Sequence, residues 1–158
     1  MNYSVIAPGY DELYREEQLK KLNILKKHLK IKKDFKLLDI GCGTGISTNF
    51  FDCECHGIDP CKEMIAKSNG NIKQAEAENI PYPDNYFDII ISITAIHHFN
   101  DLDKVIEEIK RVAKPKAQIA ITILKKARSL RKIKEVLIKE FNLQEYDEEK
   151  DLILIGNV

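Results

Sequence analysis

Three glycines at alternate positions, Gly41, Gly43 and Gly45, follow Asp39 at the end of an apolar run. Glycines so spaced let the main chain turn tightly and approach a ligand with no side chain between. A helix beginning just after such a turn offers free N–H groups to negative ligand groups. Asp59 ends a second apolar stretch fourteen residues after Gly45, where a carboxylate can accept hydrogen bonds from two ribose hydroxyls. Dinucleotide-binding and other nucleoside-binding folds share this pairing of glycine turn and acid. Here Ile46 occupies the sixth place, so the pattern is G-x-G-x-G and the pyrophosphate fingerprint G-x-G-x-x-G is broken. His97 and His98 are adjacent groups suited to proton transfer near neutral pH. If the chain is extended there, neighbours point oppositely and only one faces a pocket. Cys42, Cys53, Cys55 and Cys61 cluster early, and CECHGIDPC has the look of a thiolate–imidazole site. No second pair with zinc-type spacing follows, so no metal is expected and the thiols read as reduced and structural.

The elements that must position these residues alternate. Leu13, Leu19, Leu22, Leu25 and Leu29 make one helical stripe over 12–31. FKLLDIG (35–41) reads as a buried strand, followed by a helix over about 45–52, and ECHGID (54–59) as a second strand. Pro60 suits the first turn of the next helix, where its missing N–H costs nothing; that helix should stop near Asn69–Gly70. NIKQAEA (71–77) is a weak strand. FDIIISIT (87–94) is apolar nearly throughout, as expected of a strand covered on both faces. LDKVIEEIKRVA (102–113) is helical, AQIAITIL (117–124) is another buried strand, and 128–140 is a helix. NLQEY (142–146) and DLILIG (151–156) suit a closing antiparallel hairpin. The fold class expected is α/β: a three-layer Rossmann-like sandwich with a mostly parallel seven-stranded sheet. In such sheets ligands bind beyond the carboxyl ends of the strands, where strand order reverses.

A length of 158 residues suits one domain, with 1–34 as an N-terminal helical cap and 35–158 as the core. The chain is 44% hydrophobic and 32% charged, ordinary for a globular protein, and its 25 basic and 25 acidic residues cancel. The charges are unevenly placed, with 20–36 and 125–134 basic and 140–151 acidic. Such runs suit solvated helix faces, or contact with an anionic partner such as RNA. No apolar run approaches a membrane span and the first residues lack signal-peptide character, so a cytoplasmic protein is expected.

At this point a resemblance emerges. LLDIGCGTG is similar to motif I of the class I S-adenosylmethionine-dependent methyltransferases. GIDPCKEMI (57–65) resembles that family's G-x-D-x-S-x-x-M, with Cys61 in place of serine. QAEAENIPYPDNYFDIII (74–91), AIHHFND (95–101) and IKRVAKPKAQIAI (109–121) resemble its following segments, in order and with correct spacing. The match covers about 35–124 and is nearest to the type 11, ubiquinone/menaquinone-biosynthesis-like group. The resemblance implies S-adenosylmethionine as cofactor and S-adenosylhomocysteine as product. It implies that Asp39 steadies the glycine turn and the ligand's ammonium. Gly41, Cys42, Gly43, Thr44 and Gly45 would surround the methionine portion, and Asp59 would hold the ribose. Pro60 and Met64 would pack near adenine, Glu76 and Ala77 would meet its amino side, and Ile93 and Thr94 would line the methionine side. Two positions depart from the family. Glu76 replaces an aspartate, and Lys114–Ala117 reads K-P-K-A where the family has K-P-G-G. The turn before the fifth strand is therefore expected to avoid a conformation reserved for glycine.

The family's chemistry needs little from the enzyme beyond placing an acceptor in line with the methyl group. A base is needed only if the acceptor must lose a proton, and His97 and His98 are the candidates. Tyr10 and Tyr14 are candidates for a lid. No long insertion follows the fifth strand, so the first 35 residues, a second copy or a partner subunit must roof the acceptor. The expected reaction is methyl transfer to a small molecule. The alternatives are an RNA or protein acceptor held by 125–134, or a non-catalytic cofactor-binding subunit.

Overall fold

A computed structural model describes residues 10–158, apart from the side chains of Tyr10, Asp11, Leu13 and Tyr14. A long helix α1 (Tyr10–His28) precedes strand β1 (Lys36–Ile40) and strand β2 (Glu54–Asp59). A single helical turn α2 (Lys62–Ile65) and strands β3 (Ile72–Gln74) and β4 (Phe87–Ile93) follow. Beyond a 3₁₀ turn at Ile96–His98 come α3 (Leu102–Val112), β5 (Ala113–Leu124), α4 (Leu130–Glu140), β6 (Asn142–Asp147) and β7 (Asp151–Asn157). The seven strands lie in the order β3-β2-β1-β4-β5-β7-β6. The first five run parallel, while β7 pairs antiparallel with both β5 and β6. Strand order therefore reverses between β1 and β4.

The period of two along the central strands sorts their side chains onto two cores. Leu38, Ile40, Ile90, Ile119 and Ile121 meet Val105, Ile106 and Ile109 of α3 and Ile133 and Leu137 of α4. Leu37, Ile89, Ile91 and Ala120 meet Leu22 and Leu25 of α1, and Leu29 just beyond it, on the other face. That division makes the three layers. β4 is apolar at nearly every position because it is covered on both sides. α3 is closed at its start by Asp101, whose carboxylate accepts from the Lys104 N–H at 3.1 Å.

Three local expectations fail, each for a physical reason. Residues 45–52 form turns rather than a helix. The hydroxyls of Ser47 and Thr48 both donate to Asp39, and Asn49 Nδ2 donates to the carbonyls of Gly45 and Asn69. Short polar side chains thus tie this segment to Asp39 and to the Asn69 carbonyl, in competition with a regular helix. The helix after Pro60 is one turn long and is capped by Cys61, so Pro60 precedes it instead of entering it. Lys116 does adopt a left-handed conformation, φ +63°. There β5 bulges: Phe87 faces Ala113 but Ile89 already faces Gln118. The bulge forces a positive φ on one residue, and a lysine accepts it at a cost of about 1–2 kcal/mol. Lys114 helps anchor the bulge by donating to both oxygens of Asp88 at 2.9 Å.

Candidate cofactor and acceptor site

The carboxyl ends of β1, β2 and β4 converge at the reversal point and enclose a cavity of about 420 Å³. Gly41 and Gly43 line it from the turn after β1, Asp59, Pro60, Cys61 and Met64 from the end of β2, and Glu76 from beyond β3. Ile93, Thr94, Ala95, His98, Phe99 and Asn100 line it from the end of β4.

The glycine turn is possible only because of its composition. Gly41 sits at φ +75°, and a Cβ there would stand 2.6 Å from the Ala95 methyl. Its N–H and that of Cys42 donate to the Ile58 carbonyl at 2.8 and 3.0 Å, pulling the turn onto the end of β2. Asp39 lies beneath, fully buried. Its Oδ2 accepts from Ser47 at 2.5 Å and Thr48 at 2.8 Å, while Oδ1 is buried and has no hydrogen-bond partner. Burial pushes its pKa up to about 6, against the lowering effect of the two hydroxyls.

Asp59 bridges the two neighbouring loops. Oδ2 accepts from the Gly43 N–H and Oδ1 from the Cys61 N–H, each at 2.8 Å. Burial raises its pKa, and the two backbone donors counteract that. Each oxygen keeps a lone pair for a further donor.

Thr94 follows β4 in a left-handed conformation, φ +53°. Its hydroxyl donates to Asp151 Oδ2 at 2.7 Å, and Thr122 donates to the same oxygen at 2.9 Å. Lys21 of α1 donates to the Thr94 hydroxyl at 3.0 Å and pairs with Asp151 Oδ1 at 3.0 Å. Lys21 and Asp151 are both buried. The N-terminal helix is thereby bolted to the floor of the cavity.

The histidines lie in a 3₁₀ turn and not in extended chain, with ring centroids 4.0 Å apart. His98 lines the cavity; His97 does not. His97 Nδ1 is buried without a hydrogen-bond partner, and burial, reinforced by His98, lowers its pKa to about 4. Burial also lowers the pKa of His98.

Of the expected site residues, the cavity gathers Gly41, Gly43, Asp59, Pro60, Met64, Glu76, Ile93, Thr94 and His98. Asp39, Cys42, Thr44, Gly45, Ala77 and His97 stand outside the lining. The side chains of Tyr10 and Tyr14 lie outside the described residues. Cys42 packs against Gly57, where a Cβ would come within 2.7 Å of its sulfur. Burial raises the pKa of Cys42 far above that of a reactive thiol. All four cysteines are free; Cys53 lies 3.5 Å from Cys55 Sγ. His56 is engaged by Glu54, Asn71 and Tyr82 at 2.8–3.1 Å. Among the described residues no group of three or more His, Cys, Asp or Glu could hold a metal ion. Cys61, Ala95, Phe99 and Asn100 also line the cavity without being among the expected site residues; the last three flank the histidines within AIHHFND.

A family model described as a methyltransferase domain matches residues 38–121. This chain belongs to that methyltransferase family. It is 34% identical over 120 residues to the uncharacterized methyltransferase YcgJ of Bacillus subtilis, covering 65% of this chain and 47% of YcgJ. It is 36% identical over 105 residues to norajmaline N-methyltransferase of Rauvolfia serpentina, covering 57% and 36%. This methyltransferase domain thus spans half or less of the length of these two relatives. The crystal structure of a SAM-dependent methyltransferase from Aquifex aeolicus superposes with a TM-score of 0.73 at 22% identity, over 87% of this chain and 89% of that one. The cofactor of the domain is S-adenosylmethionine. The residues present fit it, since a bare peptide turn and a carboxylate with spare lone pairs border one cavity, and an unpartnered buried carboxylate oxygen, Asp39 Oδ1, lies beneath the turn. Among the described residues no helix is long and apolar enough to cross a membrane.

Proposed function

We propose that the chain transfers the methyl group of S-adenosylmethionine to a small-molecule acceptor. The carrying observation is that one cavity joins the glycine turn and Asp59 to the end of β4. Asp59 holds the ribose hydroxyls, and Asp39 fixes the turn while its free Oδ1 attracts the ligand's ammonium. Pro60 and Met64 pack the adenine, Glu76 and the Ala77 backbone meet its amino side, and Ile93 and Thr94 border the methionine portion. When bound, the cofactor supplies an electrophilic methyl group on a sulfonium. His98 borders the remaining space and takes a proton from an acceptor that must lose one. His97, neutral at physiological pH, stands behind His98 and sets its position. α1 packs on the sheet beside the site, where Lys21 fastens it to Thr94 and Asp151.

A small acceptor is favoured over RNA by the state of the basic segment beyond β5. Lys125, Arg131 and Lys134 are each paired with a carboxylate, Asp147, Glu135 and Glu145. One relative, norajmaline N-methyltransferase, is by its name an enzyme of a small molecule. The test is a transfer screen with labelled S-adenosylmethionine against cell extract split into metabolites, RNA and protein. Label in the metabolite fraction supports the proposal. Label confined to RNA or protein would overturn the acceptor class, and cofactor binding without transfer to any fraction would make the domain an accessory subunit.

A further inference from the structure

A second cavity, of about 520 Å³, opens at the opposite end of the sheet, between the linker after α1 and strands β5, β7 and β6. Its size falls within the range of ligand sites. Lys30, Lys32 and Lys116 line it, and no carboxylate does. Among the described residues none of these three ammoniums forms an ion pair, whereas Lys21, Lys114, Lys125 and Lys134 each do. Like charges gathered in a concavity repel one another and focus a positive field on whatever enters.

The lysines are held on a pinned main chain. Gln118 accepts from the Lys30 N–H at 2.7 Å and donates to the Lys30 carbonyl at 2.9 Å. Asn157 Nδ2 donates to the Lys116 carbonyl at 3.1 Å. Lys116 is the residue held at positive φ, in the place where the related motif has glycine. Backbone strain of this kind persists where surroundings impose it, and it concentrates at functional sites. The cavity also carries two aromatic rings: Tyr146 lies 4.1 Å from His28 between centroids, tilted 40° to it. Cations beside an aromatic platform are the elements that bind a nucleotide, the phosphate on the ammoniums and the base on the ring.

We infer that this cavity binds a phosphate-bearing nucleotide, either free or as one unit of single-stranded RNA, at a site separate from the cofactor cavity. The inference does not depend on the methyl-transfer reading. The experiment is equilibrium titration of the full chain with uridine monophosphate and with a short oligouridylate, at low and physiological salt and in the presence of saturating S-adenosylhomocysteine. Binding of either is expected to survive the homocysteine ligand and to weaken as salt rises. Uridine monophosphate binding as tightly as the oligomer identifies a free nucleotide; binding of the oligomer alone identifies RNA. Lys116→Gly, which also relieves the strain, should weaken binding roughly tenfold with thermal stability equal or higher and cofactor affinity unchanged. Lys32→Ala serves as a second variant at an unstrained position. No binding of either probe, binding displaced by S-adenosylhomocysteine, binding unaltered by both substitutions, or preference for an acidic peptide would each overturn the inference.

Discussion

In the proposed function, Asp59 offers the cofactor a lone pair at the cavity wall and Asp39 one beneath the glycine turn. Because Asp59 holds the N–H groups of both Gly43 and Cys61, Asp59→Ala would lose the proposed ribose contact and free two loops together. The expected result is a rise in the dissociation constant for S-adenosylhomocysteine of roughly tenfold or more; calorimetry showing unchanged affinity would refute the assignment. Asp59→Asn, which keeps one acceptor oxygen, should fall between. Asp39 gives a pH signature. Its pKa is raised to about 6 by burial, so a proton occupies it as pH falls through that value. Affinity for a ligand bearing an ammonium should therefore decline between about pH 7.5 and about pH 5, and Asp39→Asn should have low, flatter affinity across that window. The stability term has the opposite sign. A folded pKa above the ordinary 3.8 favours the protonated folded state. That contribution is complete below the unfolded value and is lost as pH rises through about 6. Acid thus weakens binding while Asp39 itself resists unfolding less at neutral pH than at low pH, and titrations and unfolding curves run over the same window separate the two.

At the scale of elements, the attachment of α1 decides how firmly the end of β4 beside the cavity is held. Its apolar stripe was legible because Leu22, Leu25 and Leu29 recur with helical spacing, and all three are buried against the sheet. Lys21 and Asp151 were not legible: a lysine within a basic run reads as solvated, and nothing local says that α1 turns it onto a carboxylate on a strand far along the chain. Leu22→Ala should cost about 2–5 kcal/mol through the cavity it leaves. Lys21→Met should cost about 3–5 kcal/mol, because Asp151 would remain buried with only Thr94 and Thr122 to satisfy it. Adding Asp151→Leu removes the stranded charge and should recover most of the loss. Urea midpoints of the two single variants and the double variant form the cycle. A loss under about 0.5 kcal/mol for Lys21→Met, typical of an exposed lysine, would mean that the pair does not hold the helix.

For the whole molecule, what a linear reading recovers is what rests on periodicity and on local turns. β1, β4 and the glycine bend show themselves through apolar runs and glycine spacing, and so does the doubly covered sheet they imply. What it misses depends on partners distant in the chain. Ser47 and Thr48 look like part of a helix until Asp39 beneath them claims their hydroxyls. Phe99 and Asn100 reach the cavity only because a 3₁₀ turn follows β4. The same interdependence predicts how the molecule responds to its ligand. The cavity is shared by loops from β1, β2 and β4, and unfolding any of these strands destroys it. A ligand that binds the folded state alone then stabilises the entire domain by RT ln(1 + [L]/Kd), about 2.7 kcal/mol at a hundredfold excess over Kd. For a domain of this size that corresponds to a rise in Tm of roughly 5–11 °C. S-adenosylhomocysteine should produce this shift at such an excess, while a nicotinamide dinucleotide at equal concentration should produce none, since the turn lacks the pyrophosphate pattern. At that same ligand concentration Asp59→Ala should lose much of the shift and Lys116→Gly should keep it whole, because only the first lies at the junction of the three strands. A shift with the dinucleotide and none with S-adenosylhomocysteine would require a different ligand for the cavity.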